Sequence, residues 1–219
     1  MSFQDRSDAG RKLARALMAF KRANPVVLAL PRGGLPVAAE VAAALAAPLD
    51  IILVRKIGLP GQPELAMGAV ADGAAPVIVH NEAVIASAGI SPETFEQATA
   101  RELAEIQRRR QRFLGDRPAL DLRGKTVILV DDGVATGATM MVAVEAVRRQ
   151  RPRQVVVAAP VMSPEAAGSL RQMADALVSL TTPGDFGAVG SFYRDFRQLD
   201  DADAIAILHR FRPVPSTAA

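Results

Sequence analysis

Apolar residues in this chain follow two rhythms. Short blocks at 26–30, 51–54, 126–130, 154–159 and 176–180 carry almost no polar residue. Such blocks read as strands buried on both faces, because a half-exposed strand would alternate. Between them apolar residues recur every three or four positions. Leu13, Leu17 and Phe20 share one face of a first helix, which Ser7 or Asp8 can cap and which should run to about Arg22. An Ala-rich helix is expected from about 35 to 46, another from near Gly137 to about 150, and a third ending near 173. Strands alternating with helices in this way predict an α/β domain around a parallel sheet.

Three stretches break the rhythm. Residues 58–63 hold two Gly and two Pro, which disfavours regular structure, and the short apolar runs at 69–71 and 77–79 are expected at most as edge strands. Ser91-Pro92-Glu93 is a strong helix start, with Ser at the N-cap and Pro at the first helical position. That helix should reach about Leu114 with Phe95, Leu103, Ile106 and Phe113 inward. Beyond Thr182-Pro183-Gly184 lies an aromatic tail ending in a helix near 200–210. The expected organisation is one domain over 1–219, with a core at about 26–180, a helical insert at about 81–117 and a C-terminal hood at about 184–213.

Composition narrows the function classes. The 219 residues are 50% hydrophobic and 22% charged, the profile of a folded domain with a sizeable core. A net charge of +3 suits anionic small molecules without arguing for nucleic acid. With no cysteine, disulfides and thiolate-bound zinc are excluded. The N-terminus is polar rather than an apolar leader core, and no apolar run approaches a membrane span, so a cytoplasmic location is the default expectation. Nucleotide-triphosphatase, dinucleotide-fold and hydrolase-elbow motifs are all missing from the sequence.

The densest chemistry lies at Val127-Ile128-Leu129-Val130-Asp131-Asp132-Gly133-Val134-Ala135-Thr136-Gly137-Ala138-Thr139. A buried strand delivers two carboxylates to its carboxyl end, where open parallel sheets bind ligands. Small residues follow, then a helix start near Gly137, so backbone N–H groups and a positive helix end can meet an anion. An ordinary strand-turn-helix joint capped by Thr136 or Thr139 is the plainer reading. Two adjacent acids at the end of a buried strand fit that reading poorly.

This pattern resembles the phosphoribosyl-pyrophosphate signature of type I phosphoribosyltransferases. The resemblance implies that Asp131 and Asp132 hold the ribose hydroxyls and that Ala135, Thr136, Gly137, Ala138 and Thr139 wrap the 5′-phosphate. It places Arg32, Gly33 and Gly34, which follow the first core strand, on the pyrophosphate, and a non-proline cis peptide is expected at Pro31–Arg32. Arg55 and Lys56 resemble the cations preceding the mobile loop of adenine phosphoribosyltransferases, which implies pyrophosphate contacts and a lid at about 57–67, with Glu64 inside it. Mg²⁺ is implied as the cofactor, carried by substrate oxygens, with no direct side-chain ligand assigned and Asp131 or Asp132 reaching it through water.

Other features divide between bland and functional readings. The run Arg108-Arg109-Arg110-Gln111-Arg112 reads mainly as a solvated helix face, since Arg101–Glu105 and Glu105–Arg109 are i,i+4 pairs. Phe186, Phe192, Tyr193 and Phe196 could stack on a flat base or form a small core under the hood. Phe186, Phe192 and Tyr193 are the base-binding candidates. His80 and His209 have no visible partner and read as structural or exposed.

The resemblance implies an enzyme that moves the 5-phosphoribosyl group from phosphoribosyl pyrophosphate to a nitrogen acceptor, usually a nucleobase, as in nucleotide salvage. A homodimer is expected, and neither membrane nor nucleic acid is expected as a partner. Two alternatives stay open: a non-catalytic regulator that keeps the fold and senses the donor, and a different acceptor such as a non-base amine.

Overall fold

The computed structural model describes residues 2–73 and 76–211. Five parallel strands form the central sheet in the order β2-β1-β6-β7-β8, namely β1 (Pro25–Ala29), β2 (Leu49–Ile51), β6 (Thr126–Val130), β7 (Gln154–Val161) and β8 (Ala176–Thr181). Period-two alternation sends successive residues to opposite faces. Val27, Ala29, Ile128, Val130, Val156 and Ala158 pack on one side with α1 (Arg6–Ala16) and α2 (Gly34–Leu45). Val26, Leu28, Val127, Leu129, Val155 and Val157 pack on the other with α5 (Ala138–Arg149) and α6 (Pro164–Met173). The fold is therefore the expected α/β type with both sheet faces covered.

Several expectations shift on the structure. Asp5, not Ser7 or Asp8, caps α1, its side chain accepting from the Asp8 N–H, and the helix stops at Ala16 before a 3₁₀ turn at Met18–Phe20. Leu13 and Leu17 are buried and Phe20 packs against the same core, so the face was right although the helix is shorter. The block at 51–54 splits, because β2 ends at Ile51 and Val54 starts a new strand.

The segment expected as a loop is a β-hairpin. β3 (Val54–Leu59) and β4 (Gln62–Ala71) pair antiparallel, and β5 (Val77–His80) completes a second, three-stranded sheet. Pro60-Gly61 is the turn, with Gly61 at φ +81, a conformation glycine adopts without strain. The residues that argued against structure are thus turn chemistry between two strands. The runs at 69–71 and 77–79 belong to β4 and β5.

The insert comprises α3 (Glu82–Ala88), which the sequence reading did not separate, and α4 (Pro92–Leu114). Phe95, Ile106 and Phe113 are buried, while Leu103 packs partly buried against the core. The tail forms a 3₁₀ turn at Val189–Phe192 and α7 (Asp201–His209), with Ala204 and Leu208 in the core beside α2 and α4. Hood residues 212 and 213 lie outside the described residues. Among the described residues no helix is long and apolar enough to cross a membrane.

Candidate active site

β6 ends at Val130 and delivers Asp131 and Asp132 to the carboxyl edge of the sheet. The neighbouring strand β1 ends beside them, and its loop closes directly onto the acids. A Cβ built on Gly33 would lie 2.2 Å from Asp132 Oδ2, and one on Gly34 would lie 2.7 Å from the Val130 carbonyl. That carbonyl already accepts the Leu30 N–H at 2.9 Å. Arg32-Gly33-Gly34 is glycine-rich because any side chain at either glycine would strike the acid-bearing segment. The Pro31–Arg32 peptide is cis, at the expected bond.

The acid oxygens divide evenly between protein and open space. Asp131 Oδ1 accepts the Asp132 N–H at 2.8 Å, and Asp132 Oδ2 accepts Arg6 Nε–H at 2.7 Å. Asp131 Oδ2 and Asp132 Oδ1 have no hydrogen-bond partner among the described residues, and neither is a sealed, unsatisfied atom. Two outward acceptors on adjacent residues suit a vicinal diol. Burial pushes both carboxyls above the usual carboxylate range. At Asp131 the Asp132 charge adds to that rise, whereas at Asp132 the Arg6 guanidinium opposes it.

Helix capping singles out the same loops. Among the described residues, five of the seven α-helices have their first turn satisfied by a side chain, from Asp5, Asn81, Ser91, Ser163 and Asp200. The two without one are α2, with Gly33 at its N-cap, and α5, with Gly137 at its N-cap. At α2 the Gly34 and Leu35 N–H groups donate to the Leu30 and Arg32 carbonyls and Pro36 has none, so only the start of α5 keeps N–H groups free. Neither Thr136 nor Thr139 is the cap. The nearest candidate, Thr136 Oγ1, sits 3.5 Å from the Ala138 N–H. Gly137 adopts φ +78, and a Cβ there would press on Ala166 at 3.2 Å. Uncapped N–H groups at a positive helix end form a ready anion site. Here the start of α5 is such an end, a few residues after the acid pair. Ser163 stiffens the second loop by donating its hydroxyl to the Ala135 carbonyl at 2.6 Å while capping α6.

The expected cations are less uniformly placed. Arg32 pairs with Asp201 of α7 at 3.2 Å, and Asp201 also takes Arg112 Nε at 2.9 Å. Strand alternation in β3 separates Arg55 from Lys56. Arg55 forms an ion pair with Glu102 of α4, whereas Lys56 is exposed and lines a cleft with Ala138 and Thr139 of the second loop. The arginine row of α4 is consumed internally: Arg108 and Arg109 bind Glu105, Arg110 binds Asp72 and Arg112 binds Asp201.

The aromatic tail lies across the site. Val189 packs so closely on Gly133 that a Cβ there would meet it at 2.4 Å. Tyr193 is buried between Phe3 and Phe196, and its hydroxyl donates to the Asp132 carbonyl, so this ring supports the acid's backbone. Phe186 and Phe192 stay half-buried as a tilted pair 5.5 Å apart. The sequence reading missed Arg6. Nothing local marks it, because it meets Asp132 from 126 positions away.

Comparison with known proteins agrees with this geometry. The model of the phosphoribosyl transferase domain matches residues 5–197. A Mycobacterium tuberculosis protein (strain CDC 1551 / Oshkosh) named "putative phosphoribosyl transferase" is 42% identical over 208 residues, which cover 95% of this chain and 46% of the relative; its counterpart in strain H37Rv matches equally. The chain thus spans about half the length of these curated relatives. The crystal structure of TT1426 from Thermus thermophilus superposes with a TM-score of 0.84 at 44% identity, covering 97% of this chain and all of that one. With its parallel sheet, paired acids and the uncapped helix start that follows them, the chain belongs to the phosphoribosyl transferase domain family.

Proposed function

We propose that this chain transfers the 5-phosphoribosyl group from phosphoribosyl pyrophosphate to a nitrogen acceptor, first of all a nucleobase, and releases pyrophosphate. The observation that carries the reading is the pair of unpartnered carboxylate oxygens followed by the uncapped start of α5, with the glycine loop of β1 closed onto the acids. The donor has the matching shape: a ribose diol between a diphosphate and a 5′-phosphate. Arg32, Gly33 and Gly34 take the diphosphate in this reading, and residues Ala135 to Thr139 take the 5′-phosphate.

In the reaction the acceptor nitrogen bonds to ribose C1 as the bond from C1 to diphosphate breaks. The electron pair leaves with pyrophosphate, and the nitrogen gives up a proton. Positive charge develops on the ribose, so the protein's work is positioning and charge management. Lys56, beside the second loop, supplies a mobile positive charge on the hairpin, which closes as the lid in this reading. In this reading Phe186 and Phe192, a half-buried ring pair, offer the base a stacking face, worth about 1–3 kcal/mol per base. Among the described residues no group of three or more His, Asp or Glu side chains is placed to hold a metal. Magnesium keeps waters and takes one or two carboxylates beside substrate phosphates, which fits the open oxygens of Asp131 and Asp132 acting through water. When bound, it would neutralise charge on the departing diphosphate.

The partnered arginines on α4 leave no continuous basic face there, which favours the enzyme over a nucleic-acid-binding regulator. A panel of nucleobases assayed for pyrophosphate release with donor and magnesium should identify at least one acceptor. Donor binding without release for any base or amine would make the chain a donor sensor instead.

A further inference from the structure

Arg6 lies outside both phosphate loops, yet it forms a close ion pair with one of the two acids. Its Nε donates to Asp132 Oδ2 at 2.7 Å, its Nη1 donates to the Arg197 carbonyl at 2.9 Å, and its guanidinium lies 3.9 Å over the Phe196 ring. The two paired side chains are only 11% and 12% exposed. Each contact uses a different part of the planar fork, a set that a lysine ammonium cannot make.

The surroundings show why the fork stays put. Phe3 is fully buried against Tyr193, and the segments around them zip together through Phe3 N–H to the Phe192 carbonyl, Arg194 N–H to the Phe3 carbonyl and Asp195 N–H to the Gln4 carbonyl, at 2.8–2.9 Å. Arg6 starts α1 immediately after this zipper. The zipper thus holds the start of α1 against the 192–195 segment, and Arg6 extends from it to Asp132 Oδ2.

We propose that Arg6 is a positioning residue of the donor site, holding Asp132 by one oxygen so that the other faces the ribose hydroxyl. This rests on the reading of the acid pair as the ribose site. The Asp132 N–H donates to Asp131 Oδ1, so the backbone that carries one acid is held by the other. Arg6 is also the one cation within hydrogen-bond reach of either carboxylate among the described residues. A structural staple would need only the Arg197 and Phe196 contacts. The bond to a half-open carboxylate is the part that serves the ligand.

A double-mutant cycle on the full chain tests this. Donor affinity is measured by calorimetry with phosphoribosyl pyrophosphate and magnesium for Arg6→Gln, Asp132→Asn and the combination. Arg6→Gln should weaken donor binding about tenfold and leave the acceptor KM unchanged, and Arg6→Lys should recover part of the loss. In the Asp132→Asn background Arg6→Gln should weaken binding no further, because its target is gone. Wild-type affinity in Arg6→Gln, or a full tenfold loss persisting beside Asp132→Asn, would overturn the inference. Unchanged affinity in Asp132→Asn alone would remove the ribose reading and this inference together. If the Gln variant does not fold, Arg6→Lys runs the same cycle.

Discussion

Two acid pairs, Asp50 with Asp72 and Asp131 with Asp132, are each served by one arginine and are finished differently. Asp50 of β2 and Asp72, just past β4, meet Arg110 of α4, the helix that packs on β3 and β4. Asp50 accepts from the Ile51 N–H at 2.8 Å and the Leu120 N–H at 3.3 Å; Asp72 accepts from the Leu53 N–H at 2.7 Å and Arg110 Nη1 at 2.8 Å. All four oxygens are engaged. Asp131 and Asp132 meet Arg6 at the sheet's carboxyl edge with two of four oxygens open. Desolvating a carboxylate costs free energy unless hydrogen bonds offset it. The first pair spends every acceptor on the fold, whereas the second keeps half for a ligand. Vacant acceptors, more than burial or charge, separate a site from a staple.

The comparison breaks most visibly at the open pair. Asp131→Asn combined with Asp132→Asn should leave the circular dichroism spectrum intact while donor affinity falls at least a hundredfold. Each lost charged acceptor is worth about 1.5–3 kcal/mol. Calorimetry showing wild-type affinity would mean that the open oxygens serve nothing. At the closed pair the effect should move to stability. Asp72→Ala leaves Arg110 and the Leu53 N–H without their partner and should cost about 3 kcal/mol in denaturant unfolding, the low end for a broken buried pair because Arg110 is partly solvated. Donor affinity, measured on the folded fraction, should stay within a factor of about two, well under 1 kcal/mol. A lost donor site with unchanged stability would reverse the assignment of the two pairs.

Much of this was legible in the sequence. The continuous apolar blocks gave away a doubly covered parallel sheet because period-two side chains had to be apolar on both faces. Asp131, Asp132 and the small residues after them sit in one local strand-loop-helix segment, so their spacing carried their chemistry. The hairpin was not legible. Its tip, from Gln62 to Leu65, is exposed, so no buried alternation marks it, and Pro60-Gly61 signals a turn without saying that strands flank it. The split of Arg55 from Lys56 follows from that strand. Arg6 and Asp201 were invisible for another reason. Both act through long-range contacts, 126 positions for Arg6 and 169 for Asp201 with Arg32; a lone Asp at a helix start looks like ordinary dipole chemistry, and a lone Arg there looks like a surface cation.

The smallest effect sharpens the comparison through pH. The Asp131 carboxyl is raised well above its ordinary value of 3.8, first by burial and then by the Asp132 charge. A carboxyl raised on folding binds its proton more tightly in the folded chain than in the unfolded one, so ionising it opposes folding. That cost is absent below 3.8, grows as pH rises, and is complete above the raised folded value. Asp131→Asn removes it while keeping an oxygen for the Asp132 N–H. The variant should therefore be more stable at pH 7, on the order of 1 kcal/mol, or roughly 2–4 °C in unfolding midpoint for a chain of this length. The gain should fade as the pH is lowered toward 3.8. Asp132→Asn should gain less, because it strands the Arg6 guanidinium among aromatic rings. A site that gives up stability to keep acceptors open behaves this way. If Asp131→Asn were instead less stable at pH 7, the ionised carboxylate would be holding the fold, and the open oxygens would be incidental.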